Sequence, residues 1–269
     1  MDISTLYELY LAHPDITTDT RKIREGCLFV ALKGEQFDGN DFAEEALRKG
    51  AAYAIVSQPQ WYGPRFIHVP DTLVALQQLA KHHRRQLRIP VIAITGSNGK
   101  TTTKELITLA LSTSFKVHAT AGNLNNHIGV PLTVLSAPLD TEILVCEMGA
   151  NHQYEIQFLC ELASPTHGLI TNIGSAHLEG FGSFEGVKKA KGELFDYLKD
   201  HDGLAFINVD DPSLEEMSKY LPHTVRYGLK PGARADFHFE YKDFPDHSGF
   251  TIRDRHSPIE ITSKMFGAY

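Results

Sequence analysis

Apolar and polar positions divide the chain into two stretches with different rhythms. In the first, Cys27–Leu32 (CLFVAL), Ala52–Val56 and Phe66–Val69 are short apolar runs that predict strands, and Asp41–Lys49 predicts a helix. Asp71–Leu87 (DTLVALQQLAKHHRRQL) repeats its apolar positions at helical spacing, with Asp71 placed to cap the first turn. Within it, His82–Arg85 reads as a solvated helix face. Pro90 interrupts the pattern, so a boundary falls near residues 85–90 and the expected domains are 1–87 and 88–269.

Beyond Pro90 strands and helices alternate. Val91–Thr95 (VIAIT), Ile143–Glu147 (ILVCE), Leu169–Ile173 and Leu204–Val209 are continuous apolar runs of the kind found in strands covered on both faces. Helices are predicted over Thr101–Ser112, near Tyr154–Leu162 and over Phe184–Leu198. Such alternation gives a mostly parallel sheet with right-handed crossovers. After about residue 222 short strands with turns (Asp236–Tyr241, Gly249–Arg253, Ile259–Thr262) predict a short antiparallel addition. The fold class is therefore α/β: a small N-terminal α/β domain, then a mostly parallel-sheet central domain of P-loop ATPase type.

Composition adds little to this picture. Of 269 residues, 42% are hydrophobic and 22% charged, and the formal net charge of −7 argues mildly against a general nucleic-acid binder. Cys27, Cys146 and Cys160 lie far apart in apolar or helical contexts, without metal-ligand spacing, and are expected as buried reduced thiols. No apolar run approaches the roughly 18 residues that span a bilayer, and the N-terminus lacks a secretion signal's pattern, so a cytoplasmic location is expected.

The strongest local signal is ITGSNGKTTTKEL. Gly96 and Gly99 let the backbone curl so that N–H groups, including those of Ser97 and Asn98, point at a phosphate. Lys100 adds a positive charge beside the β- and γ-phosphates, Thr101 or Thr102 can offer a hydroxyl to Mg²⁺, and the following helix presents its positive end. The spacing is G-x-x-G-K-T, a variant of the usual G-x-x-x-x-G-K-[ST], because position 94 is Ile. A site that cleaves ATP also needs carboxylates for magnesium. Glu147 ends an apolar strand, so it stands at the carboxyl edge where ligands gather in such folds. His177 follows another strand in a Gly-rich loop, where a structural role and a ligand role weigh equally. Lys191, in KKAKGELF, is not distinguished by composition from Lys188 or Lys189.

Taken together, TDTRKIREGCLFVALKGEQFDGNDFAEEALRKGA, TGSNGKTTTKE, GNLNNHIGVPLT, EMGANH, TNIGSAHLEGFGS and AKGELF resemble the Mur ligases, the ATP-dependent amide ligases of peptidoglycan precursor synthesis. The resemblance runs along essentially the whole chain. It implies a first domain that holds the UDP part of the substrate, with Thr20, Arg21 and Lys33 at that site. It implies ATP on Gly96–Thr102, with Asn125, Asn126 and His127 between nucleotide and substrate. Two Mg²⁺ ions would be held by Thr101, Glu147, His177 and Lys191, the lysine as a carbamate, and Lys100, Lys191 and His177 would serve catalysis. The implied substrates are UDP-N-acetylmuramoyl-tripeptide and D-alanyl-D-alanine, joined through an acyl phosphate by a chain expected to be a monomer. Alternatives are the member adding the third amino acid, a folylpolyglutamate synthetase, a P-loop switch or motor, and a non-catalytic binding module. The family's C-terminal Rossmann-like domain has no residues left here after ITSKMFGAY. This chain alone is therefore expected to bind the UDP substrate and turn over poorly.

Overall fold

The short apolar runs become strands and the longer amphipathic ones helices. The computed structural model describes residues 2–174, 178–229, 234–243, 248–253 and 258–263. In chain order these residues form α1 (Ile3–Ala12), β1 (Ile16–Thr17), β2 (Leu28–Val30), α2 (Ala43–Arg48), β3 (Tyr53–Val56), β4 (Phe66–His68) and α3 (Thr72–Gln86). There follow β5 (Val91–Thr95), α4 (Lys100–Leu111), β6 (Val117–Ala119), α5 (Gly129–Leu135), β7 (Ile143–Glu147), α6 (Glu155–Ala163) and β8 (His167–Ile170). The last elements are α7 (Leu178–Phe181), α8 (Phe184–Asp200), β9 (Leu204–Asn208), α9 (Pro212–Met217), β10 (Thr224–Gly228), β11 (Phe237–Asp243), β12 (Ser248–Arg253) and β13 (Pro258–Ser263). Two compact units interleave along the sequence. The first is Met1–Val91, Lys104–Gly149 and Phe158–Ser164; the second is Ile92–Thr103, Ala150–Gln157 and Pro165–Tyr269.

In the first unit, β1 to β4 pair in sequence order as a parallel sheet. Cys27, Phe29, Ala31, Ala43, Ala46, Ala51, Ala54 and Val56 close a core between sheet and α2. The same unit holds the parallel pair β6–β7, and β7 is buried along its whole length. The predicted cap is present, with the Asp71 carboxylate accepting from the Val74 N–H at 2.9 Å. All three cysteines are buried, reduced thiols.

The expected solvated face at His82–Arg85 is corrected in part, because His83 and Arg84 are buried. The His83 ring bridges the Tyr7 hydroxyl at Nδ1 (3.1 Å) and the Ala137 carbonyl at Nε2 (3.0 Å). A carbonyl only accepts, so Nε2 carries the proton and Nδ1 accepts from Tyr7. Burial lowers the His83 pKa and keeps this ring neutral. Arg84 donates to the carbonyls of Ala163 (2.7 Å), Ser164 (3.0 Å), Ile89 (3.3 Å) and Leu87. Periodicity predicts a helix face, but it cannot show that four main-chain carbonyls converge on one guanidinium.

In the second unit the strands run in the order β13-β12-β11-β10-β9-β8-β5. Pairing is parallel from β5 through β8, β9 and β10 to β11, and antiparallel pairing begins only at β11–β12. The antiparallel addition is thus shorter than the residues after 222 suggest. The element β10 is half-buried and polar, and its TVRYG lacks the apolar run that marks its neighbours. The helix α5 (GVPLTVL) also escapes a pattern search, since Gly, Pro and β-branched residues disfavour helix. It forms because nearly every residue is buried and because the Asn126 Oδ1 accepts from the Ile128 and Gly129 N–H groups at 3.1 and 2.9 Å.

Arg84→Met keeps the apolar stem and removes the donors to these carbonyls. The expected loss is about 2–4 kcal/mol, read as a lowered urea midpoint. An unchanged midpoint would show that those carbonyls find other donors.

Candidate active site

The turn between β5 and α4 is shaped by the chain segment that follows β8. Gly96 sits at φ +140, and a Cβ there would lie 2.0 Å from Thr171 Oγ1, so only glycine lets the two segments approach. Gly99 at φ +78 supplies the second unusual backbone angle, in open space. The Ser97 N–H donates to the Asn172 carbonyl at 3.1 Å. Asn172 grips the next residue twice: its Oδ1 accepts from the Asn98 N–H (3.1 Å) and its Nδ2 donates to the Asn98 carbonyl (3.0 Å). Thr171 Oγ1 donates to the same carbonyl at 2.6 Å. Ser97 Oγ accepts from the Gly174 N–H at 2.8 Å and donates to its carbonyl at 3.2 Å. Lys100 folds back, with Nζ 2.8 Å from the Gly96 carbonyl and 3.2 Å from that of Ser97. Thr101 and Thr102 are exposed in the first turn of α4. The result is a braced turn in which Asn172 engages the N–H groups of Ser97 and Asn98, both expected to face phosphate, and the Lys100 ammonium rests on the turn's own carbonyls at the start of α4.

Among the lysines of α8, burial singles out Lys191. It is 2% exposed, whereas Lys189 is exposed and Lys188 pairs with Glu216. Lys191 Nζ donates to the Ala150 carbonyl at 3.3 Å and stands 5.3 Å from the Phe181 ring centroid. Desolvation, and then the charge of Lys100, lower its pKa to about 8. Two residues on, the buried Glu193 carboxylate accepts from the N–H groups of Tyr154 (2.6 Å) and Gln157 (3.0 Å). It thereby caps α6 across space, at the helix's positive end. Burial raises the Glu193 pKa.

In the first unit, Glu147 ends β7 and is 2% exposed. Its backbone N–H donates to Thr120 Oγ1 (3.0 Å) and its Oε1 accepts from the Asn125 Nδ2 (2.8 Å). Gly149 lets Asn125 approach, because a Cβ at 149 would lie 3.0 Å from the Asn125 amide. The three residues expected between nucleotide and substrate therefore divide. Asn125 orients Glu147, Asn126 caps α5, and His127 is exposed with its carbonyl accepting from Gln77 Nε2 at 3.0 Å.

Near the four-stranded sheet, Thr20 and Arg21 line a groove of about 450 Å³ with Thr18, Asp19, Phe29, Phe37, Gly39 and Phe42. Phe37 and Phe42 are 59% and 40% exposed there, two aromatic faces beside polar groups. Arg21 binds Asp19 at 2.8 Å and holds its carboxyl down to about 2. Lys33 is exposed and lies outside the lining, although its backbone bridge to Asp38 closes the loop that carries Phe37. His177 lies outside the described residues. Residue patterns did not point to Thr171 and Asn172, to Thr120, or to Phe42. The "TN" before IGS was the visible trace of the first pair.

Comparison with known proteins agrees with this geometry. Residues 94–269 match the Mur ligase middle domain, and residues 15–92 match the Mur ligase family, catalytic domain. The UDP-N-acetylmuramoyl-tripeptide–D-alanyl-D-alanine ligase of Bacillus subtilis is 45% identical over 251 residues, 92% of this chain and 54% of that protein. The Escherichia coli ligase of the same name is 48% identical over 196 residues, 73% of this chain and 43% of that protein. The MurF ligase of Thermotoga maritima in complex with ADP superposes with a TM-score of 0.82 at 33% identity, covering 94% of this chain and 58% of that one. The chain spans about half the length of the curated relatives it matches. With a family description covering most of its length, and a phosphate loop, buried lysine and buried carboxylate on the expected elements, this chain belongs to the Mur ligase family.

Proposed function

We propose that this chain carries the UDP-substrate and ATP sites of a ligase that adds D-alanyl-D-alanine to UDP-N-acetylmuramoyl-tripeptide. The observation that carries the reading is the preset loop Gly96–Lys100 with Lys191 buried in the field of Lys100. The names borne by the Bacillus subtilis and Escherichia coli relatives, and the ADP held by the Thermotoga maritima ligase, support the substrates and the nucleotide.

In this reading residues 1–87 hold the UDP part. The groove at Thr20 and Arg21 takes it, with Phe37 and Phe42 offering faces for the base. Residues 88–269 hold ATP on Gly96–Thr102, with the N–H groups that Asn172 does not engage and the Lys100 ammonium on its phosphates. The terminal carboxylate of the tripeptide attacks the γ-phosphorus, forming an acyl phosphate and releasing ADP. The amine of D-alanyl-D-alanine then attacks the acyl carbon, and the C–O bond to phosphate breaks. Lys100 offsets charge on the transferring group.

The residues fit magnesium by their donor set. Mg²⁺ needs only one or two protein carboxylates when phosphates and water complete its shell. Glu147 is buried with its backbone and Oε1 already fixed, and Thr101 offers a hydroxyl at the loop. Among the described residues no three His, Cys, Asp or Glu side chains group as a ligand cluster. Glu147 would hold a first ion and His177 a second, Thr101 would offer a hydroxyl and Lys191 a carbamate oxygen, and the ions would polarise the phosphoryl oxygens. For Lys191 this requires the carbamate. Its amine nitrogen attacks CO₂, the new C–N bond leaves a carboxylate oxygen pair, and one proton is released. Only the neutral amine can attack, and a pKa of about 8 makes a sizeable neutral fraction available near neutrality.

Calorimetric titration with UDP-N-acetylmuramoyl-tripeptide and a non-hydrolysable ATP analogue tests the two sites. Lys100→Ala is expected to weaken the analogue by about 10- to 100-fold while the UDP ligand binds as before. Unaltered analogue binding, or a folded chain that ignores both ligands, would refute the assignment. For Lys191, ¹³C-labelled CO₂ is expected to add a carbamate carbonyl resonance that is absent from Lys191→Ala. At fixed dissolved CO₂ that resonance should grow as pH rises through about 8, because the neutral amine becomes the major form. Identical spectra for the two proteins would exclude the carbamate.

A further inference from the structure

The helix α4 is amphipathic in the wrong sense. Leu106 and Leu109 are 45% and 71% exposed, while the one buried residue of this helix is Lys104, at 1%. An apolar residue there would avoid the desolvation of an ammonium, and buried ion pairs commonly lose nothing in stability on such replacement. Lys104 is nevertheless satisfied by specific partners. Its Nζ donates to the Thr120 carbonyl at 2.7 Å and pairs with Glu105 Oε1 at 2.7 Å. Thr120 is itself buried, its N–H donates to the Val145 carbonyl at 3.0 Å, and its Oγ1 receives the Glu147 N–H at 3.0 Å. One threonine therefore joins the lysine on α4 to the backbone of the residue that ends β7. A second tie, from Asn125, fixes the Glu147 side chain.

We propose that Lys104 is a positioning residue that acts through Thr120 to hold the Glu147 carboxylate for the metal ion. This rests on the reading of Glu147 as a magnesium ligand. The ammonium replaces the water that a buried carbonyl would otherwise seek, and it pins the main chain of Thr120 in place. The Thr120 hydroxyl then sets the end of β7. Lys104 touches neither substrate nor metal, so its effect is on the geometry of a ligand rather than on bond making. A lysine suits the task because its stem crosses the apolar contact while its head reaches a single main-chain oxygen.

The test uses Mn²⁺ as the probe, followed by electron paramagnetic resonance on the whole chain with a non-hydrolysable ATP analogue. Glu147→Gln establishes whether the metal reads this carboxylate. Lys104→Met is expected to weaken Mn²⁺ by about 10-fold or more, with the metal-free affinity for the analogue changed less than about twofold and the melting midpoint not lowered. Thr120→Val, which removes the acceptor for the Glu147 N–H, should move Mn²⁺ in the same direction. Thr120→Ser, which keeps both oxygens, should not. If Lys104→Met does not fold, the Thr120 pair decides. Loss of Mn²⁺ in Glu147→Gln, with native affinity in Lys104→Met and Thr120→Val, would overturn the positioning role alone. Native affinity in Glu147→Gln would overturn both that role and the metal assignment.

Discussion

The turn after β5 depends on the close approach of two segments where Gly96 meets Thr171. Reciprocal hydrogen bonds from Ser97 to Gly174 and from Asn98 to Asn172 hold the turn after β5 in one curvature. That curvature holds the N–H groups of Ser97 and Asn98 on Asn172 and brings the Lys100 ammonium onto the loop's own carbonyls. A loop fixed beforehand does not lose chain entropy when phosphate arrives, and its dipoles need not reorganise during phosphoryl transfer. The same constraint places a cation near Lys191 and helps depress that amine.

A second regularity concerns buried charges. Arg84 and Lys191 meet main-chain carbonyls, Lys104 meets a carbonyl and one exposed carboxylate, and Glu193 meets main-chain N–H groups. Full opposite charges would neutralise these groups and draw them away from ligands. Backbone dipoles satisfy their hydrogen bonds while leaving the charge in place. Lys191 and Glu193 show the local consequence, since burial shifts each towards its neutral form. The structural members of the set tie helix ends and loops together.

How much of this could be read in the residues alone depended on range. The strands VIAIT and ILVCE were legible to the residue, because a strand buried on both faces leaves a continuous apolar run. The phosphate loop was legible because its glycines, lysine and threonine are contiguous. Lys191 was not separable from Lys188 and Lys189 by composition, since helical phase against the core decides which is buried. His83 and Arg84 look like a solvated face for the related reason that Tyr7, Ala137, Ala163 and Ser164, which bury them, lie about 50 to 80 residues away. The helix α5 and strand β10 ran against local propensity and were set by packing and capping. Asn125 came into view through the family pattern, but its bond to Glu147 is a three-dimensional fact.

We propose the turn after β5 as a nucleotide site preset by contact with Thr171. Comparing Gly96→Ala with Gly99→Ala for binding of a non-hydrolysable ATP analogue tests it most directly. A Cβ at position 96 meets Thr171 Oγ1 at 2.0 Å, whereas one at 99 meets nothing within 4 Å. The account predicts a folded Gly96→Ala protein whose affinity falls by about 100-fold or more, and a Gly99→Ala protein carrying only backbone strain of about 1–2 kcal/mol. Native affinity in Gly96→Ala would contradict it.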